Sequence, residues 1–250
     1  MPRFIAVAGK GGTGKTTLAA LLTRYLVEAG KTPVLAVDAD PNSNLHEALG
    51  LTVQGTVAEI LSRTKDPDAI PAGMSKHAYI EYQLQAAITE SKWVDLLVMG
   101  GPEGAGCYCF PNEILRHYLQ QLRSNYPYLV MDNEAGMEHL SRRVAADVDL
   151  LLITSDASVR GIRSAGRIRQ LVSTLDIKVK RLGLVVGMVR PDSLQVLQPA
   201  IEATGLEVVG TIPYDPQVTA YDMQGQPLWD LPADSAAWQA VRQLATGLAL

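Results

Sequence analysis

Several features that assign a chain to a specialised class are scarce or missing in this sequence of 250 residues. No apolar run is long enough to cross a bilayer, and the first predicted strand leaves no room ahead of it for a cleavable signal. We therefore expect a cytosolic protein that does not act on membranes. The net charge is −4, and no block of Lys or Arg stands out apart from scattered arginines such as Arg142, Arg143, Arg160 and Arg163, so nucleic acid is not an expected partner.

Cysteine is also scarce, and the two copies, Cys107 and Cys109, stand one residue apart in the segment GAGCYCFP. A disulfide between such close neighbours would be strained, and a cytosolic protein rarely keeps one. Two thiolates at this spacing along an extended segment can point the same way, but structural sites for soft metals use about four ligands. A two-fold symmetric dimer would bring two such segments together and supply them. The alternative is a pair of buried free cysteines without a metal.

What the chain has in quantity is hydrophobic residues, 47% of the total, in short apolar runs that alternate with helix-like stretches. The runs are apolar throughout, which is typical of strands in a parallel sheet that is covered on both sides. We predict an α/β fold, with a mostly parallel sheet flanked by helices on both faces and a single domain over residues 1–250. The predicted strands are residues 4–8, 33–37, 96–99, 129–131, 150–154, 182–186 and 208–212. Helices are predicted over residues 17–30, 112–124, 159–175, 193–203 and 235–250.

Residues 9–17 read GKGGTGKTT and stand between the first predicted strand and the first predicted helix. This order is the context of a phosphate-binding loop, whose glycines let backbone amides turn towards a phosphate. Lys15 is predicted to bridge the terminal phosphates, and the Thr16 hydroxyl is predicted to bind Mg²⁺. The predicted nucleotide-binding residues of the loop are Gly11, Gly12, Thr13, Gly14, Lys15, Thr16 and Thr17. The chain is therefore predicted to be a Mg²⁺-dependent enzyme that hydrolyses a nucleotide.

Aspartates follow two other predicted strands, at the sheet edge where parallel folds bind their ligands. Asp40 stands beside Pro41 and is predicted to position the attacking water, while Asp38 could hold a magnesium-bound water. Asp132 ends the run YLVMD and is predicted to serve Mg²⁺ through a water molecule. Gly136 could bring its backbone amide to the γ-phosphate. The alternative for Asp38 and Asp40 is a role in turns and helix caps.

The phosphate loop carries a second lysine, Lys10, at a position that ordinary nucleotide-binding loops leave to any residue. The loop KGGTGKTT resembles that of the deviant Walker A ATPases. That family of P-loop NTPases contains the nitrogenase iron protein, the tail-anchored protein targeting ATPase and the division-site ATPase MinD. In it the equivalent lysine reaches across a homodimer to the partner's nucleotide. The resemblance implies this role for Lys10, with ATP as the nucleotide and a homodimer as the working form.

The segments DADPNSNL, GPEGAGCYCFPNEILR, DNEAGMEHLSRR and IPYDPQV are similar to those of the CooC-type nickel-insertion ATPases within that family. Such proteins serve carbon monoxide dehydrogenase and, in close relatives, acetyl-CoA synthase. The resemblance implies an ATP-hydrolysing metallochaperone that binds Ni²⁺ or Zn²⁺ between two subunits through Cys107 and Cys109. Its client would be a nickel-iron-sulfur enzyme of either kind. The catalytic residues on this resemblance are Lys10, Lys15 and Asp40.

The resemblance also implies that residues 213–218, among them Pro213, Tyr214 and Asp215, lie near the adenine. The chain departs from the pattern at Gly187, where relatives often carry an Asn that recognises the base. Two other functions use the same loop and dimer. An iron-sulfur reductase component would need a Cys near residues 132–137, where this chain has none. A positioning ATPase of the MinD or ParA type would act on membrane or DNA, and no basic surface or anchoring tail favours it.

Overall fold

The computed structural model describes residues 3–101, 117–135, 147–174 and 178–250, and one seven-stranded sheet runs through these ranges. The strands are β1 (Arg3–Gly9), β2 (Val34–Ala39), β3 (Val94–Val98), β4 (Tyr128–Ala135), β5 (Asp147–Asp156), β6 (Lys178–Val189) and β7 (Val208–Pro213). Their order across the sheet is β3-β2-β4-β1-β5-β6-β7, and neighbouring strands pair in parallel throughout. The predicted α/β fold with its parallel sheet is confirmed.

Helices cover both faces of this sheet. They are α1 (Lys15–Glu28), α2 (Leu45–Leu49), α3 (Val57–Arg63), α4 (Lys76–Ala87), α5 (Val159–Thr174), α6 (Ser193–Thr204), α7 (Pro216–Met223) and α8 (Ala236–Gly247). Residues 117–122 are also helical, and short 3₁₀ turns occupy Pro67–Ala69 and Leu228–Asp230. Among the described residues, no helix combines the length and the apolar character that a membrane span needs.

Successive side chains of β1 enter opposite cores because neighbouring residues of a strand point to opposite faces. Ile5 and Val7 pack in the core that includes α1 and α8, whose Leu22 and Trp238 are buried there. Phe4, Ala6 and Ala8 belong to the other core, which contains side chains from α3 to α6. The continuous apolar run of β1 follows from this burial on both faces.

The register of the central strands brings the predicted functional residues to one edge of the sheet. Asp38 of β2 lies beside Asp132 of β4, and Asp132 in turn pairs with Val7 of β1. Gly9, the last residue of β1, pairs with Thr154 of β5. Because all these strands are parallel, their carboxyl ends lie at the same edge of the sheet, where β1 stands between β4 and β5. The predicted functional residues therefore form a single site at this edge.

Candidate functional site

The phosphate loop, residues 10–14, joins β1 to α1 at the carboxyl edge of the sheet. Gly12 with φ 76° and Gly14 with φ 83° have left-handed backbone conformations that residues with a Cβ rarely adopt. Gly14 is also the N-cap of α1, and the first turn of that helix carries no acidic residue. The positive end of the helix dipole therefore faces the loop, and no carboxylate of the first turn offsets it. Such a helix start attracts a phosphate.

A pair of buried threonines ties the phosphate loop to β5. The Thr13 hydroxyl donates to the Lys10 carbonyl oxygen at 2.7 Å, and it lies 2.7 Å from the Thr154 hydroxyl. The Thr154 hydroxyl also donates to the Ala8 carbonyl oxygen at 3.3 Å. Gly9 passes so close that a Cβ there would lie 2.2 Å from Thr154 Oγ1, so a larger residue does not fit. The backbone that carries Lys10 is thus held in place from a neighbouring strand.

Thr16 of α1 and Asp132 of β4 meet beneath the loop. The Thr16 hydroxyl donates to Asp132 Oδ2 at 2.6 Å, whereas the buried Asp132 Oδ1 has no hydrogen-bond partner among the described residues. Burial raises the pKa of Asp132 to about 7; the negative charge of Asp38 adds to this rise, and the Thr16 hydrogen bond and the charge of Lys15 oppose it. A hard divalent cation would compensate the carboxylate and use its unpaired oxygen. The residues present therefore fit the predicted Mg²⁺.

Asp38 and Asp40 shape the turn that follows β2. Asp38 is fully buried and accepts hydrogen bonds from the Asp40 N–H at 3.1 Å and the Leu45 N–H at 2.9 Å. Burial raises the pKa of Asp38 to about 6, although these two hydrogen bonds lower it. Asp40 Oδ1 accepts from the Asn42 N–H and from the Asn42 side-chain amide, both at 2.9 Å. Asp38 thus has the turn role that was the alternative for it, and Asp40 is held by one carboxylate oxygen.

A cavity of about 580 Å³ extends from the phosphate loop to the carboxyl ends of β6 and β7. This volume suits a small-molecule ligand. Among the residues that line it are Gly12, Thr13, Gly14, Lys15, Thr16, Thr17, Gly187, Met188, Pro213, Tyr214 and Asp215. The residues predicted to bind phosphate and those predicted near the adenine, far apart in sequence, therefore share one cavity.

Asp215 lines this cavity, but its carboxylate is already engaged by the protein. It caps α7 by accepting from the Gln217 N–H at 2.8 Å, and it accepts from the Ser235 hydroxyl at 2.6 Å and the Ala237 N–H at 2.9 Å. Burial tends to raise its pKa, but these hydrogen bonds, led by that of Ala237, outweigh burial and lower it. Asp215 joins α7 to α8, and its contact with the adenine stays a prediction.

Gly187 stands where the cavity meets the end of β6. A Cβ at this position would lie 3.4 Å from the Thr13 carbonyl oxygen, an ordinary contact, so the backbone itself does not require glycine there. The neighbouring wall is formed by Met188, which is 40% exposed, and Tyr214, which is 47% exposed. The Arg190 guanidinium lies 5.9 Å from the centre of the Tyr214 ring. Exposed side chains of Met188 and Tyr214 thus lie at this end of the cavity, beside polar residues such as Asp215 and Thr219.

Several predicted site residues do not join the cavity lining. Lys10 and Gly11 are exposed on the loop, and Asp40 is half-buried on its own turn. The predicted residues Cys107, Cys109 and Gly136 lie outside the described residues. Within the ranges that the structure describes, no group of three or more His, Cys, Asp or Glu could hold a metal ion.

The structure adds site residues that the sequence analysis did not single out. Asn133 is buried beside Asp132; its side-chain N–H donates to the Val7 carbonyl oxygen at 2.8 Å, and its own oxygen has no partner. Thr154 anchors the loop, and Asn44 lines the cavity. Asn133 and Thr154 are both polar residues at the end of an apolar run, which is the signal that could have identified them.

The chain is similar to known nucleotide-binding proteins over most of its length. The family model for the CobQ/CobB/MinD/ParA nucleotide binding domain matches residues 4–228. An uncharacterized ATP-binding protein of Methanocaldococcus jannaschii is 41% identical over 245 residues, which cover 97% of this chain and 96% of the relative. The carbon monoxide dehydrogenase accessory protein CooC of Rhodospirillum rubrum is 29% identical over 239 residues, 91% of this chain and 89% of CooC. The septum site-determining protein MinD of Pyrococcus horikoshii, solved with Mg-ADP, has a TM-score of 0.70 at 21% identity, covering 99% of this chain and 96% of MinD.

Proposed function

The chain belongs to the CobQ/CobB/MinD/ParA family of nucleotide-binding domains, as an ATP-binding P-loop ATPase, and we propose that ATP hydrolysis drives metal delivery by a homodimer. The observation that carries the ATPase part is the Thr16 hydroxyl bonded to Asp132 at 2.6 Å beneath a glycine loop, with Asp132 Oδ1 buried and unpaired. Thr16 and Asp132 would hold Mg²⁺, Asp132 through water, and the ion would offset charge on the β- and γ-phosphates.

Hydrolysis begins when the loop amides and Lys15 hold the terminal phosphates and draw charge from the γ-phosphate. Asp40 orients a water molecule through the carboxylate oxygen that Asn42 does not occupy. The water oxygen bonds to the γ-phosphorus as the bond to the ADP oxygen breaks, and the water proton leaves with the phosphate product. Lys10, exposed on the rim of the loop, is free to reach a nucleotide held by a second copy of the chain.

Metal delivery is supported by two features of the sequence that occur together. One is Lys10 in the phosphate loop, and the other is the pair Cys107 and Cys109. CooC, a carbon monoxide dehydrogenase accessory protein by name, is similar over nearly its full length. We propose that two copies bind one Ni²⁺ or Zn²⁺ through these thiolates and pass nickel to a carbon monoxide dehydrogenase or acetyl-CoA synthase. Here the transferred metal is cargo and the Mg²⁺ is the resident cofactor.

The hydrolytic step is tested with Asp40→Asn. This change keeps the size of the side chain but removes the charge that orients the water, so turnover should fall about 100-fold while ATP affinity is unchanged. Phosphate release and binding of a fluorescent ATP analogue measure the two quantities. Asp68→Asn, which removes a charge from an exposed turn, is the matched control and should behave like the unaltered protein. Unimpaired turnover in Asp40→Asn removes Asp40 from the mechanism.

Metal delivery is tested separately with the double variant Cys107→Ala/Cys109→Ala. Equilibrium dialysis with Ni²⁺ and a nonhydrolysable ATP analogue should give about one ion per dimer for the unaltered protein and none for the variant. Tyr108→Phe keeps both thiols and should bind as the unaltered protein does. Unchanged Ni²⁺ binding in the double variant refutes delivery through these cysteines, and it does so without affecting the ATPase assignment.

A positioning ATPase is the second candidate, because the matching family model spans MinD and ParA and a MinD structure shares the fold. In this case the ATP-bound dimer would bind a lipid surface or DNA. Co-sedimentation with anionic vesicles and retention on DNA at physiological salt distinguish the candidates. ATP-dependent retention on either surface, together with an inert cysteine variant, would favour positioning over metal delivery.

A further inference from the structure

Helix α5 carries positive charge only. Its sequence, VRGIRSAGRIRQLVST, contains four arginines and no Asp or Glu, although acidic residues outnumber basic ones in the chain, 26 to 22. Arg160, Arg163 and Arg167 are exposed and follow one another at spacings of three and four, which puts them along one face of the helix. None of the three forms an ion pair with a described carboxylate.

A groove of about 530 Å³ runs between this face of α5 and helix α6. The two helices touch where Gly166 meets Thr204, since a Cβ on Gly166 would lie 2.9 Å from the Thr204 methyl group. Arg169 closes the end of the groove by donating to the Thr204 carbonyl oxygen. The floor of the groove is thus set by the close approach of the two helices at Gly166 and Thr204.

The far wall of the groove is apolar. Val196 lines it with 73% of its surface exposed, and Pro199, Ala200 and Ala203 continue the wall along α6. Val159 at the start of α5 is 38% exposed on the same groove. No carboxylate is among the described residues that line the groove; the one acid of α6, Glu202, accepts a hydrogen bond from Gln198 at 2.8 Å. Arginines that form no ion pair with a described carboxylate, opposite an apolar wall, are typical of an interaction surface.

We infer that this groove between α5 and α6 docks an acidic, amphipathic segment of a partner protein. Large apolar side chains of that segment, such as Leu, would pack on Val196 and the apolar wall of α6, and its carboxylates would bind Arg163 and Arg167. Arginine suits this role because its planar guanidinium binds a carboxylate through two hydrogen bonds. The inference goes beyond the proposed ATPase and metal-delivery function, and it uses none of their residues.

The groove is tested with a short fluorescein-labelled helical peptide that carries Leu on one face and Glu on the other. Fluorescence anisotropy with the full-length protein should show saturable binding that weakens as salt is raised. The variant Arg163→Glu/Arg167→Glu should bind at least about tenfold more weakly, because both attractive contacts become repulsive. Val196→Ser should weaken binding about threefold at any salt, since it removes only apolar contact.

The matched control is Arg63→Glu/Lys65→Glu, which makes the same change of charge at two exposed positions at the end of α3 and just beyond it. It should bind the peptide as the unaltered protein does, and ATP turnover should be the same in all four proteins. If charge reversal on α5 prevents folding, Arg163→Gln/Arg167→Gln serves in its place. The inference is overturned if the control Arg63→Glu/Lys65→Glu weakens peptide binding as much as the α5 double variant does. It is also overturned if a peptide with Lys in place of Glu binds equally well, or if a DNA duplex binds through Arg163 and Arg167.

Discussion

The two ends of the sheet hold aspartates in opposite conditions. At the amino end, Asp149 of β5 is bonded on both oxygens, to the Phe4 N–H at 2.7 Å, to Arg123 at 2.6 Å and to Lys180 at 2.7 Å. At the carboxyl end, Asp132 accepts from the Thr16 hydroxyl, and its other, buried oxygen has no partner within the part of the chain that the structure describes. Burial alone would raise both pKa values, but the cations and N–H groups around Asp149 outweigh burial and lower its pKa.

This difference separates a carboxylate that is compensated within the fold from one whose predicted role is to bind a ligand. The Asp149 carboxylate is charged and compensated in the free protein. The pKa of Asp132 is raised to about 7 and that of Asp38 to about 6, because the Thr16 hydroxyl and Lys15 near Asp132 and the two N–H groups at Asp38 compensate burial only in part. A fold tolerates this cost where the charge is used, so the carboxyl end should be the less stable and the functional end of the sheet.

The largest effect is expected from removing the lysine cation at the carboxyl end, which tests whether ATP binding there depends on Lys15. Lys15→Ala removes the buried lysine charge next to Asp132 and should weaken ATP binding at least about 100-fold, or ~3 kcal/mol. Titration with a fluorescent ATP analogue measures it. Lys10→Ala is the control within the same loop; because Lys10 is exposed, binding by the monomer should remain measurable while hydrolysis slows. Equal loss of binding in both variants would contradict a cross-dimer role for Lys10.

A smaller effect concerns the stability of the nucleotide-free protein. The pKa of Asp132 is raised from 3.8 to about 7 on folding, so its contribution to stability is complete below 3.8 and is lost as pH rises through 7. Asp132→Asn should therefore raise the free energy of unfolding near pH 8 by on the order of 2 kcal/mol. Urea unfolding at a series of pH values measures this gain, which should shrink steadily towards about pH 4. A gain that grows on acidification would refute the assignment of an uncompensated carboxylate.

The fold and the site were predictable from the sequence where they depend on neighbouring residues, and not where they depend on residues far apart in the chain. The seven strands, the phosphate loop and α1 depend on local patterns, and the structure confirms them within a few residues. The strand order is not local, so the pairing that puts Asp38 beside Asp132 could only be expected as a shared edge. The partners of Asp149 were not predictable at all, because Phe4 lies 145 residues away and Arg123 lies 26 away.

The end of the cavity where the adenine is predicted shows again that contacts between distant residues limit prediction from sequence. Residues 213–218 were predicted near the adenine, and Pro213, Tyr214 and Asp215 do line the cavity. The hydrogen bonds of Asp215 with Ser235 and Ala237 could not be read from the segment, since Ser235 is the N-cap of α8 and Ala237 lies in its first turn, about twenty residues further along the chain. A polar residue within a recognisable segment can equally serve the ligand or hold the segment, and only its hydrogen bonds distinguish the two.

The amino end supplies the counterpart of the Asp132 experiment. Asp149→Asn removes the charge shared by Lys180 and Arg123 and should lower the free energy of unfolding by about 1.5 kcal/mol near neutral pH. Because the folded-state pKa is lowered, this stability is present above the ordinary value of 3.8 and is lost as pH falls below it. Urea unfolding should show a deficit that closes on acidification, with ATP binding unchanged. The surface variant Asp234→Asn, with one charge less at an exposed site, should show no deficit.

The smallest expected effect also concerns the carboxyl end, in the hydroxyl pair of Thr13 and Thr154 that anchors the phosphate loop. Thr154→Val keeps the shape of the buried side chain but removes the hydroxyl 2.7 Å from Thr13, which itself holds the Lys10 carbonyl. The loss of about 1 kcal/mol should raise KM for ATP about fivefold with kcat little changed, because the loop shape matters for binding before chemistry.

Thr154→Ser, which restores the hydroxyl, should recover most of the affinity, and Thr211→Val on β7 is the control for the same change elsewhere in the sheet. A purely structural role for Thr154 would lower the unfolding temperature and leave KM unchanged. If KM is the same in Thr154→Val and Thr211→Val, the glycines alone set the loop conformation. The carboxyl end would then owe its binding function to backbone geometry and Lys15, with no support from β5.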